Sequence, residues 1–180
     1  AAPVSGFVYG FNAILYSQGG AVDRPRTLQL AKDAGMPWIR QQVRWMDLHD
    51  KSGVIHWGEL DDIVGDASNM GVKLLVSVVA APSWATSNGK NGMPDRDHFN
   101  DYNYFMGEMA KRYKGRIQAY EIWNEQNLAH ENGGRVANAS FYMDMLVGAS
   151  NAIRAGDPSA LIVSGAPSST ETNVSDRKST

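Results

Sequence analysis

The sequence has no cysteine, which excludes disulfides and thiolate-bound zinc and leaves the redox compartment unreadable. It has no run rich in lysine and arginine. With 17 basic and 19 acidic residues the net charge is −2, a balance that argues against nucleic acid or an anionic membrane as partner. The longest apolar stretch lies near residues 72–82, far too short to span a bilayer. A glycine-rich phosphate loop is also missing: Gly19-Gly20 has no GxGxxG frame, so nucleotide binding has no support. The four histidines, His49, His56, His98 and His130, show neither i, i+4 nor HxH spacing. No metal or cofactor is expected from them.

What is present is an ordinary globular composition: 180 residues, 43% hydrophobic and 20% charged, enough for one domain with a real core. Residues 1–167 are read as that domain, and 168–180 as a polar, loose tail. The chain opens Ala1-Ala2-Pro3-Val4 without methionine. That resembles a mature terminus left by signal-peptide removal, and it makes a secreted or periplasmic location the expectation. Asn138-Ala139-Ser140 and Asn173-Val174-Ser175 match the glycosylation acceptor pattern.

A β-rich run, a loop, an amphipathic helix and a glycine recur along the chain. Strands are expected at 7–12, 38–43, 72–80, 117–123 and 161–164, and helices at 27–34, 59–70, 99–113 and 140–155. The second helix carries Leu60, Ile63, Val64, Ala67 and Met70 at helical spacing, and Gly71 follows as its stop. The third strand is almost continuously apolar, as suits a parallel sheet covered on both faces. Strands alternating with helices of this length predict an α/β fold with parallel strands joined by right-handed crossovers. Two architectures satisfy that pattern. One is a partial (β/α)-barrel of TIM type, with about five parallel strands and four helices; the other is an open doubly wound sheet. Four β/α units take about 38 residues each, so eight would need roughly 300. Length alone favours the open sheet.

In both architectures function gathers at the carboxyl ends of the strands. The ends read Gly10-Phe11-Asn12, Arg40-Gln41-Gln42-Val43-Arg44-Trp45, Ala81-Pro82-Ser83-Trp84, Ile122-Trp123-Asn124-Glu125-Gln126-Asn127 and Ser164-Gly165-Ala166-Pro167. Trp45, Trp84 and Trp123, three of the five tryptophans, lie at or just past these ends. Aromatic faces beside amides, a carboxyl and guanidiniums suit a sugar site. Alternation along the fourth strand puts Glu121, Trp123 and Glu125 on one face. Glu125 then sits at the rim and Glu121 deeper, where an inward arginine is its natural partner. His130, in the following loop, is a candidate for a sugar subsite.

Trp123-Asn124-Glu125 at the end of a fourth strand resembles clan A of the glycoside hydrolases, the (β/α)8 retaining enzymes, in the manner of families 5 and 39. The resemblance implies Glu125 as acid/base and Asn124 as the residue holding the sugar 2-hydroxyl. It implies Arg40 as the arginine near the nucleophile, with Arg44 as the second choice, and Trp84 as a sugar-stacking residue. Asn12 joins them at the end of the first strand. The nucleophile of such enzymes belongs on a seventh strand, beyond the five read here. Asp95, Asp97, Glu131 and Glu171 are poor substitutes: the two aspartates look like capping residues before the third helix. The expected reaction is retaining hydrolysis of an O-glycosidic bond, with a carbohydrate as substrate. The alternatives are a non-catalytic carbohydrate-binding remnant and an unrelated doubly wound protein with a small-molecule site. A partial barrel also leaves open edges and an uncovered inner face. Self-association, or completion by a C-terminal half-barrel, is therefore expected.

Overall fold

The computed structural model describes residues 8–17 and 23–169. Phe7, Gly19-Gly20, Glu171, Asn173-Val174-Ser175 and the tail from 170 onward lie outside the described residues. Five parallel strands form one sheet: β1 (Gly10–Asn12), β2 (Trp38–Arg44), β3 (Lys73–Val79), β4 (Ala119–Ile122) and β5 (Leu161–Ser164). Their spatial order is β1-β2-β3-β4-β5. A doubly wound sheet would reverse order at a switch point; this one advances strand by strand in one direction, as a barrel wall does. The fold is α/β, a partial barrel of five strands.

Four helices back the sheet: α1 (Arg24–Asp33), α3 (Gly58–Asn69), α4 (Phe99–Arg112) and α5 (Ala139–Gly156). A fifth, α2 (Trp45–Leu48), is a single turn placed where the sequence pattern gave only a loop. It begins directly at the end of β2, where Met46 N donates to Ala80 O at 2.9 Å, so the second and third strand ends are tied together there. The helix α1 starts three residues earlier than its apolar pattern. Asp23 caps it by accepting from Arg26 N at 3.0 Å, and Pro25 sits in its first turn, where a missing N–H costs nothing.

The core lies between the sheet and these helices. Ile39 and Val43 of β2, Leu74, Val76 and Val78 of β3, and Tyr120 and Ile122 of β4 are all fully buried. They meet Leu60, Ile63 and Val64 of α3 and Tyr102, Phe105, Met106 and Met109 of α4 in one cluster. On α5 the fully buried stripe is Met145, Ala149 and Ile153. Phe141 is only half-buried and meets Phe99 edge-on with centroids 4.9 Å apart. Gly71 and Gly115 follow α3 and α4 with φ of 70° and 73°, a left-handed turn open to glycine without a Cβ penalty.

The other face of the sheet is concave. The expectation that β3 is covered on both faces is met only in part: Lys73 is exposed, and Leu75 and Val79 are half-buried. A hollow of about 490 Å³ at the amino ends of the strands is lined by Phe11, Trp38, Leu75, Ala119, Leu161 and Val163. Among the described residues no helix is long and apolar enough to cross a membrane.

Candidate active site

At the carboxyl ends of β1, β2 and β4 the concave face opens into a cleft of about 700 Å³. Asn12, Arg40, Arg44, Asn124 and Glu125 line it, all five among the residues the sequence singles out. Parallel pairing brings them together: Asn12 lies in register with Arg40, and Arg40 with Leu75.

Arg40 is the centre of the polar floor. Its Nε donates to Glu121 Oε2 at 2.7 Å, and a terminal nitrogen approaches the same oxygen at 2.6 Å. The terminal nitrogen also reaches Ser77 Oγ at 3.1 Å and Asn124 Oδ1 at 3.0 Å. The other terminal nitrogen donates to Asn12 Oδ1 at 3.3 Å. A buried carboxylate must be paired. The partner is Arg40 rather than Arg44, which lies 3.5 Å from Asp47 at the exposed end of the cleft. By engaging Asn124 Oδ1, Arg40 also fixes which way that amide faces. Its NH2 is left as the group that can donate to a bound hydroxyl.

The strand ends abruptly beyond Ile122. Trp123 has φ 70° and Glu125 φ 45°, left-handed conformations uncommon for residues with a Cβ. The alternation expected of a straight strand therefore fails at Trp123. Its side chain does not share a face with Glu121 and Glu125 but is buried on the helix side, 6.2 Å from the Tyr102 ring. Its indole N–H donates to Asn132 Oδ1 at 2.7 Å. Glu125 still lines the cleft because the second left-handed residue turns the chain back. Its N–H donates to Ala166 O at 3.1 Å, across to the segment that follows β5.

The other aromatic candidates lie off the cleft. Trp45 is fully buried in α2. Trp84, in a short helical turn Ser83–Ala85, is half-buried. It packs edge-on against Trp45, His49 and His98, with centroids 5.5, 5.4 and 5.6 Å away. His130 is exposed and faces Glu131 at 3.5 Å, outside the cleft lining. Asp95 does not cap the third helix; its carboxylate binds Arg135 and the Ser87 N–H instead. Those hydrogen bonds, working against desolvation, hold it below the ordinary carboxylate range.

Sequence reasoning missed one wall of the cleft. Tyr16, Gln42, Asp47 and Glu59 belong to it. Glu59 reads as the start of a helix, yet its carboxylate accepts from Ser17 N at 2.7 Å and from Arg24 at 2.6 Å. Burial, then Glu59 and Asp47, push the Tyr16 hydroxyl far above its usual pKa, so it stays protonated and able to donate. Among the described residues no cluster of His, Asp or Glu is arranged to hold a metal.

Comparison with solved structures gives the same architecture. A family 39 glycoside hydrolase from Bacteroides cellulosilyticus superposes with a TM-score of 0.66 at 18% identity, covering 86% of this chain and 31% of that one. Endoglucanase Cel5A from Thermotoga maritima gives 0.65 at 17% identity, covering 88% and 52%. A family 30 subfamily 8 xylanase from Clostridium acetobutylicum gives 0.64 at 15%, covering 86% and 41%. The chain thus spans 31–52% of the length of these structures. No curated protein sequence matches it. The family model described as Cellulase (glycosyl hydrolase family 5) matches residues 5–179, and the chain belongs to that glycoside hydrolase family.

Proposed function

We propose that this chain carries the acid/base half of a retaining glycosidase site, acting on O-glycosidic bonds of an oligosaccharide or polysaccharide. One observation carries the reading. Glu125 and Asn124 emerge together from β4 into the cleft, and Arg40 fixes the amide beside the carboxyl. In this reading Glu125 protonates the leaving oxygen and later takes the proton from the attacking water. Asn124 donates to the sugar hydroxyl next to the reacting carbon, where a hydrogen bond strengthens as the oxocarbenium-like charge grows.

Retention needs a second carboxyl ~5–5.5 Å from the first. Glu121 is committed to Arg40, which makes it a poor nucleophile, and the proposal assigns that role to polypeptide beyond β5. The half-length match to Cel5A supports this. The same additional strands would cover the open inner face. For substrate, the solved Cel5A complexes with mannotriose and cellobiose point to neutral hexose oligosaccharides as the first compounds to try.

The test is titration of the chain with cellotetraose and mannotetraose, with hydrolysis followed in parallel. The Glu125→Gln variant should keep most of the affinity and lose any hydrolysis. Because the nucleophile is assigned to polypeptide beyond β5, this chain alone should bind without hydrolysing. Hydrolysis that appears in a longer chain and is lost on Glu125→Gln supports the acid/base role. A longer chain that binds and never hydrolyses supports a carbohydrate-binding remnant. No binding of either sugar would sink the reading.

A further inference from the structure

Between the proposed acid/base and the start of α5 lies a buried amide that the proposed chemistry does not use. Asn132 is 2% exposed. Its Oδ1 accepts the Trp123 indole hydrogen at 2.7 Å. Its Nδ2 donates to Leu128 O at 2.8 Å and to Glu125 O at 3.2 Å. One side chain thus holds both left-handed residues, the indole of Trp123 and the carbonyl of Glu125, with Asn124 between them.

Left-handed conformations at non-glycine residues persist only where the surroundings over-determine them. The backbone bonds here are few. Trp123 N donates to Val78 O at 3.2 Å, Glu125 N to Ala166 O at 3.1 Å, and Leu128 N to Glu125 O at 2.9 Å. Among the side chains of the described residues, Asn132 alone joins Trp123 to Glu125 by hydrogen bonds. The asparagine is itself immobilised. Asn132 N donates to Ala129 O at 3.1 Å, and Asn132 O accepts from Arg135 N at 3.2 Å. Gly92 presses against its backbone so closely that a Cβ there would lie 2.4 Å from Asn132 C. The loop carrying Asn132 is thus pinned to the loop after β3, and the asparagine acts as a fixed bracket.

We infer that Asn132 is a positioning residue: it sets the backbone of Trp123 and Glu125 and so aims the Asn124 amide and the Glu125 carboxyl into the cleft. This rests on the proposed glycosidase reading for its consequence, though not for its geometry. The residue is seven positions from Glu125 and never lines the cleft. Its amide is needed because one group must accept from an indole and donate to two carbonyls at once.

The test uses the labelled chain with Asn132→Asp and Asn132→Leu. Aspartate keeps an acceptor for the indole but turns a second oxygen toward the two carbonyls. Leucine removes both functions. The first readout is the strong intraresidue amide–Hα NOE that marks a left-handed residue, together with the Trp123 indole resonance. In the aspartate variant Trp123 should keep its signature while Glu125 loses it; in the leucine variant both should lose it. The second readout is cellotetraose affinity per folded molecule. It should fall roughly tenfold in both, the weight of about one hydrogen bond. If the leucine variant does not fold, the aspartate variant decides. A Glu125 signature unchanged in the aspartate variant overturns the inference. So does a lost signature with unchanged affinity. A wild-type chain that binds no sugar refutes the glycosidase reading instead, and the NOE then decides the positioning alone.

Discussion

Arg40 grips a single oxygen of Glu121 with two nitrogens, at 2.7 and 2.6 Å. The Glu121 side chain is 6% exposed and that of Arg40 26%. The carboxylate has therefore given up most of its water, while the guanidinium keeps a share of its own. Removing either partner strands the other. Glu121→Ala is expected to cost about 2–3 kcal/mol, somewhat below a fully buried pair because Arg40 stays partly hydrated. Arg40→Met with Glu121→Leu together should cost less than the two single changes added. Urea unfolding of the wild type, Arg40→Met, Glu121→Leu and the double variant checks this, and plain additivity would show that the pair is not coupled.

Half of this pair was legible from sequence: an inward carboxylate at Glu121 calls for an inward arginine, but the resemblance sets Arg40 beside the nucleophile, and the structure is what joins the two. The helix stripes of α3 and α4 follow from periodicity. The one-directional order of strands is favoured over a doubly wound sheet only by the resemblance that Trp123-Asn124-Glu125 carries. Glu125 reaches the cleft through a left-handed turn rather than through strand alternation. The placement of Trp123 was not legible. A strict alternation puts it inward, and nothing in Trp123-Asn124-Glu125 announces two left-handed residues in three. The conformation comes from Asn132 and Ala166, which approach only once the chain has folded. Tyr16 and Glu59 were missed for a similar reason, since Arg24 draws the loop before α1 against α3.

Gln41 supports that same loop from behind. It is 2% exposed. Its Oε1 accepts from Leu15 N at 2.6 Å, and its Nε2 donates to Gln42 O at 2.6 Å. Gln41→Leu keeps the volume but leaves a buried amide hydrogen unpaired, at a cost of about 1–3 kcal/mol. Amide exchange at Leu15 and Tyr16 should rise in the variant well beyond the change in global stability. Equal protection in both proteins would mean that the loop is held by other contacts.

His49 makes the fold sensitive to mild acid. The Trp45 indole can only donate, so His49 Nδ1, at 2.9 Å, must be its acceptor and carry no proton. Desolvation lowers the His49 pKa, with Asp101 and Asp50 opposing it. A histidine whose folded pKa is depressed binds fewer protons folded than unfolded. Its stabilising share is complete above the unfolded value of about 6.5 and is lost as pH falls through the folded one. Unfolding midpoints should therefore drop as pH falls below about 6.5 in the wild type. The drop should flatten in His49→Gln, whose amide oxygen can take the indole hydrogen. An identical slope in the two proteins would locate the sensitivity elsewhere.

Gly165 links the last described strand to the proposed acid/base. A Cβ added there would lie 2.8 Å from Ile122 O, 2.9 Å from Trp123 O and 2.9 Å from Gln126 Oε1. Two of those three atoms are backbone, so they cannot swing aside as a side-chain end would. Gly165 N donates to Ile122 O at 3.0 Å and to the Tyr142 hydroxyl at 2.6 Å, while Ala166 O receives the Glu125 N–H. Gly165→Ala must push β5 away from the end of β4 or bend the Ile122–Trp123 backbone, an overpacking cost of about 1–3 kcal/mol. Thermal unfolding measures the first effect, and amide shifts of Trp123 to Glu125 the second. Tyr142→Phe separates the two, since it removes the hydroxyl bonds without adding bulk and should leave the Trp123–Glu125 shifts nearly in place. If Gly165→Ala were as stable as wild type with those shifts unmoved, the close approach of β5 to the Glu125 turn would have no mechanical consequence.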